Sequence, residues 1–152
     1  MGDKSNYSKF LLMLVASAIS MYITMYFNTY EVDHVYFSWT RLYMTLIGIG
    51  GMSLIMFFIM REMYKSRKKN IAIIAGSILL MVISTFLVRN QVPIGDVKWM
   101  KAMIPHHPIA ILTSKRAKIT DPEVKNLAQE IIKAQEKEIQ EMKQMINRLE
   151  NK

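Results

Sequence analysis

Lys98-Trp99-Met100-Lys101-Ala102-Met103-Ile104-Pro105-His106-His107-Pro108-Ile109-Ala110-Ile111, residues 98–111, combine a helical pattern, a double proline interruption and a cluster of metal-ligating side chains. Helical spacing puts Met100, Met103 and His107 at i, i+3 and i+7, so two thioethers and an imidazole project from one face. That set suits a soft metal ion. Pro105 and Pro108 lack amide hydrogens and disturb the turns before them. The pattern therefore predicts a helix from Val97, capped by Asp96, that kinks or opens at the histidines and resumes to about Ile119.

Downstream, Thr120-Asp121-Pro122-Glu123 marks a restart, with Asp121 as cap, Pro122 in the first turn and Glu123 at the positive helix end. A last helix to about Leu149 follows, its apolar stripe made by Val124, Leu127, Ile131, Ile132, Ile139, Met142, Ile146 and Leu149. The short connection implies an antiparallel hairpin. With the turn centred between Thr120 and Asp121 and equal rise on both sides, His106 is level with Gln135, Met103 with Glu138 and Met100 with Met142. Gln135 and Glu138, polar on an apolar stripe, either fix the hairpin register as a hydrogen-bonded pair or orient metal ligands from outside. Met142 taken alone is more often core than ligand.

Upstream, three uncharged stretches, Phe10 to Tyr30, Leu42 to Met60 and Ile71 to Val88, reach the roughly 18 to 21 residues that span a bilayer. Arg89 to Gly95 then breaks the pattern with Pro93 and Gly95. Residues 1–92 thus read as a three-helix transmembrane anchor in a lipid bilayer, and residues 93–152 as a two-helix extracytoplasmic domain. Ala16-Ser17-Ala18 mimics a signal-peptide cleavage site, but the apolar core before it is short and the run continues to Phe27, which favours an uncleaved anchor. Lys65-Ser66-Arg67-Lys68-Lys69, with Lys4 and Lys9, assigns the amino terminus to the cytoplasm and the tail to the periplasm or cell exterior of a bacterial plasma membrane. The acidic loop Glu31-Val32-Asp33-His34 falls on the outer side. Tyr26, Phe27, Tyr30, Tyr36, Phe37 and Trp39 mark the outer interface, and Tyr7 and Tyr64 the inner. His34 is then a further outer-face ligand or a headgroup residue.

Gly48, Gly50 and Gly51, and the Ala72-to-Gly76 spacing, permit close helix approach. A methionine stripe at Met52, Met56, Met60 and Met63, with Met21 and Met25, reads mainly as packing. The net charge of +8 is largely loop charge explained by topology, so nucleic acid is not an expected partner. The chain has no cysteine, which leaves methionine and histidine to hold a soft metal. Glu-x-x-His pairs, His-Glu-x-x-His, a nucleophile constellation and a glycine-rich phosphate loop are all missing from the sequence, which argues against an enzyme.

Met100-x-x-Met103-x-x-His106-His107-x-x-Ala110, then Asp121-Pro122-x-Val124-x-x-Leu127-Ala128-x-x-Ile131 and Gln135-x-x-Glu138-Ile139-x-x-Met142, resembles the domain-of-unknown-function 305 family, a ferritin-like helical group. The likeness covers about residues 96 to 149. Asp33-His34-Val35-Tyr36-Phe37-Ser38 and Thr40-Arg41-Leu42-Tyr43-Met44 resemble its membrane-anchored branch. Some soluble members bind copper in the periplasm, and the resemblance implies that role for Met100, Met103, His106, His107 and Met142. This chain departs from many members in carrying Ile111 in place of methionine and Pro108 after the histidine pair.

The expected fold is all-α: three transmembrane helices, then an extracytoplasmic antiparallel hairpin, completed into a ferritin-like four-helix arrangement by membrane-helix extensions or by dimerisation. The expected function is Cu(I) binding on the outer face for copper homeostasis or transfer, with a copper donor or acceptor protein as partner. The alternative is a non-catalytic membrane scaffold or oligomerisation module without metal.

Overall fold

The computed structural model describes residues 2–27, 29 and 32–151, with side chains at 6–27, 29 and 33–151. Among the described residues there are α-helices α1 (Gly2–Thr24), α2 (Trp39–Ile59), α3 (Arg67–Asn90), α4 (Asp96–Met103), α5 (His107–Arg116) and α6 (Pro122–Glu150), short 3-10 turns at Val32–His34 and Arg61–Met63, and no strand. Three stretches, Asn6–Thr24, Trp39–Ile59 and Arg67–Asn90, are long and apolar enough to cross a membrane. Tyr30 and Glu31, placed above at the end of the first crossing and in the outer loop, lie outside the described residues, as does the Lys4 side chain. The chain forms two compact units, Met1–Met25 with Thr40–Pro93 and Tyr26–Trp39 with Ile94–Lys152.

In the first unit, α1 stops at Thr24, short of the expected Tyr30. The apolar run continues, but tertiary bonds claim its residues: Tyr26 Oη donates to the Tyr36 carbonyl at 2.7 Å, and the Met25 carbonyl accepts from the buried Arg41 guanidinium. Phe10, Phe57 and Tyr64 form a core joined by Tyr7, Leu14 and Ile73. At the far end of α3, Gln91 adopts a left-handed φ of 51° and its amide bonds back to the Leu87 carbonyl, which terminates the helix.

The glycines divide in a way their spacing does not reveal. A Cβ on Gly50 would lie 2.4 Å from Met81 Cγ and 3.0 Å from the Ser77 carbonyl, so α2 and α3 touch there through backbone. Ser77 Oγ donates to Ser53 Oγ at 2.7 Å across the same contact. Gly48 similarly faces Met21 of α1, whereas Gly51 and Gly76 have nothing within 4 Å, so the Ala72-to-Gly76 spacing does not mediate close approach. Gly50→Val is expected to destabilise the unit by about 1–3 kcal/mol through overpacking. Thermal melts in detergent should show a lowered midpoint for Gly50→Val and little change for Gly51→Val.

In the second unit, α6 packs along both α4 and α5. The pairs Lys115–Glu136, His107–Glu138 and Lys101–Glu150 show the helices running antiparallel. The break falls where the prolines put it: α4 ends at Met103, α5 begins at His107, and Pro105 and Pro108 are buried between and beside them. Gly95 rather than Asp96 occupies the cap position of α4, with Asp96 in the first turn where its carboxylate still meets the positive helix end. Asp121 caps α6 as expected, its Oδ1 accepting from the Val124 amide at 3.0 Å. Helix α5 ends at Arg116, earlier than Ile119, because Ala117 turns extended with ψ 140°.

That early end moves the register. Extended residues rise about 3.3 Å each against 1.5 Å in a helix, so the connection carries the start of α6 beyond the end of α5. His107, not Met103, meets Glu138. Val124 and Leu127 near the start of α6 are left exposed.

The loop before α2 folds with this hairpin. Tyr36 packs on its core, and Lys143 Nζ donates to Asp33 Oδ2 at 2.5 Å. The Lys143 hydrogen bond holds the Asp33 carboxyl below its ordinary range. Because the folded value is the lower one, the contact contributes fully above about pH 4 and is lost as pH falls through the folded value. Hydrogen-exchange protection of amides 33–38 should drop below pH 4, and Lys143→Met should lower it at neutral pH by up to about fivefold, the ceiling for an exposed pair.

Candidate metal centre

The hairpin core is Met100, Ile104, Ile111, Ile139, Met142 and Ile146, with Met103, Val97 and Ile132 packed against it. Three thioethers from two sides of the hairpin thus enter one cluster: Met100 and Met142 are buried, and Met103 is half-buried. They arrive there because Met100 and Met103 share a face of α4, while Ile139, Met142 and Ile146 share a face of α6. Ile111, noted above as a departure at a methionine position, is 2% exposed in the same cluster.

His107 sits in the first turn of α5 and is mostly buried. Its Nδ1 lies 3.0 Å from Glu138 Oε2, off the line of a well-formed hydrogen bond and without another partner. Glu138 is half exposed, so a small rotation of its carboxylate aligns the pair. A carboxylate beside Nδ1 favours the tautomer with hydrogen there, which leaves the Nε2 lone pair available to a metal. Burial pushes the His107 pKa below its ordinary value; Glu138 opposes this and neighbouring His106 adds to it. Neutral imidazole is the ligating form. Glu138 and Met142 are one turn apart on α6, so the imidazole–carboxylate pair lies about one helical turn along the hairpin from a methionine of the core.

The other sequence-derived candidates lie differently. His106 is exposed at the cap position of α5, and its backbone amide donates to the Met103 carbonyl at 2.8 Å. Gln135 is half-buried on α6. His34 is buried in the loop before α2, its Nε2 3.7 Å from Asp33 Oδ1. Among the described residues, no three His, Cys, Asp or Glu side chains converge as a metal site. Sequence reasoning missed Tyr36, which packs against the hairpin core. Its only signal was an aromatic residue in a loop, indistinguishable from an interfacial anchor.

A family model described as "Domain of unknown function (DUF305)" matches residues 86–151, from the last turn of α3 through the whole hairpin. An uncharacterized protein of Acanthamoeba polyphaga mimivirus is 32% identical over 152 residues, covering 97% of this chain and 98% of that protein. That similarity takes in the three apolar helices as well as the hairpin. No solved structure matches the chain. With its hairpin matched by the family model and a relative alike along nearly its full length, the chain belongs to the DUF305 family.

Proposed function

We propose that the chain is a membrane-anchored Cu(I)-binding protein whose hairpin holds the ion with the His107 imidazole and thioethers from Met100, Met103 and Met142. What supports this reading is the His107–Glu138 pair on a hairpin whose core holds Met100 and Met142, with Glu138 one helical turn from Met142 along α6. Thioether and neutral imidazole suit a soft monovalent ion and bring no charge to desolvate. Glu138 orients the ring and raises its basicity from outside. The three apolar helices form the anchor, with residues 94–152 on the extracytoplasmic face. The basic run from Lys65 to Lys69 supports that orientation, and the folding of the loop before α2 with the tail agrees with three crossings, which place both on one side in either orientation.

The direct test is Cu(I) titration of the detergent-purified protein under reducing conditions against a competing chelator. Stoichiometric binding, lost in the His106→Ala/His107→Ala double variant, is the expected result. Weak binding unchanged by the double substitution overturns the proposal.

One observation favours a second reading. Val124 and Leu127 are 48% and 55% exposed on the apolar stripe of α6, the face a second hairpin would cover in a four-helix, ferritin-like bundle. A scaffold role predicts self-association weakened by Leu127→Glu with no dependence on copper.

A further inference from the structure

Within the first unit, α1, α2 and α3 leave an open groove of about 450 Å³, lined by Tyr7, Leu14, Ile73, Gly76, Leu80 and Lys69 among others. Its walls are almost wholly apolar apart from the Ser53–Ser77 pair, and its one charged lining residue stands at one end. There Lys69 Nζ lies 4.5 Å from the centre of the Tyr7 ring, and Tyr7 Oη donates to Asn70 Oδ1 at 2.6 Å. Gly76 opens the middle of the groove, since a Cβ there would meet nothing within 4 Å. Lys69 and Leu80 are on one helix, so the groove runs about 16 Å from its basic mouth. One leaflet of hydrocarbon is about 15 Å deep.

The geometry points to a binding site for an anionic phospholipid, one acyl chain lying in the groove and the headgroup phosphate meeting Lys69 at the mouth. Three properties select this occupant over a bulk lipid contact. The groove has the depth of a single leaflet, its floor is cleared by a glycine that makes no helix contact, and its one lining cation stands at the end where a headgroup would sit. Arg67 and Lys68 are exposed nearby but do not line the groove. Tyr7 holds the Lys69 ammonium by its ring face and is itself fixed through Asn70 and the Ser66 amide, so the mouth is preorganised. This site is independent of the copper reading.

The test is native mass spectrometry of the full chain in detergent, offered phosphatidylglycerol and phosphatidylcholine with identical acyl chains. Wild type should retain phosphatidylglycerol over phosphatidylcholine by about fivefold, the selectivity one interfacial lysine supplies. Lys69→Gln should abolish that preference, and Gly76→Phe, which fills the groove where there is room, should lower retention of both lipids while the circular dichroism stays helical. Lys68→Gln, outside the groove lining, should leave retention unchanged. Equal retention of the two lipids by wild type, full retention by Gly76→Phe, or equal losses in Lys68→Gln and Lys69→Gln would each overturn the site, the last pointing to a diffuse basic surface.

Discussion

His107→Ala is expected to lower Cu(I) affinity by more than the roughly 10–100-fold that loss of an outer partner costs a metal site, while His106→Ala leaves it nearly unchanged. The two residues are adjacent in sequence but differ in every property that matters to ligation. His107 is mostly buried, kept neutral by burial and faced at Nδ1 by Glu138. His106 is exposed at the helix cap, where water competes for its ring. Glu138→Gln should fall between them, within about 10–100-fold, because the ring keeps a neighbour at Nδ1 but loses the carboxylate that raises its basicity. Chelator competition on the single variants reads all three. Equal losses for His106→Ala and His107→Ala would mean that the paired imidazoles act together at the surface, and the buried site would be wrong.

What the sequence made legible was what depends on a few neighbouring residues. Uncharged runs announce the three long helices, and the prolines at 105 and 108 announce the break at the histidines. Asp121 announces the start of α6 through a bond to an amide three residues on. Illegible were features set by distant partners. The hairpin register depends on Ala117 leaving the helix, which no local signal forbids or demands, and the level of every residue on α6 follows from it. Gly50 and Gly51 are neighbours of the same type, yet only Gly50 meets α3, because which face of α2 is covered is decided by the whole unit. Tyr26 and Tyr36 carry the composition of an interfacial belt, but the Tyr26 hydroxyl bonds the Tyr36 carbonyl and Tyr36 packs on the hairpin core. For the site, helical spacing grouped His107 with the methionines, and the family resemblance added His106; the fold buries most of the first ring and leaves the second exposed.

The combined substitution Met100→Leu/Met142→Leu is expected to remove stoichiometric Cu(I) binding while leaving the hairpin folded. Both side chains are buried, at 4% and 7% exposure, in a cluster otherwise made of isoleucine. Leucine nearly matches methionine in volume, and such exchanges cost less than about 1.5 kcal/mol each in a core. The helical signal and melting midpoint should therefore change little. What leucine cannot supply is a sulfur lone pair, and His107 with Met103 alone leaves Cu(I) too few donors to compete with a chelator. The two roles open to these methionines, filling space and donating to a metal, are thereby separated in one protein. If they serve only as adaptable packing, the double variant binds copper as wild type does and is as stable or more so, since leucine loses less side-chain entropy than methionine on burial. A loss of binding at unchanged stability would assign the sulfurs to the ion, because the only property removed from the core would be its capacity to ligate.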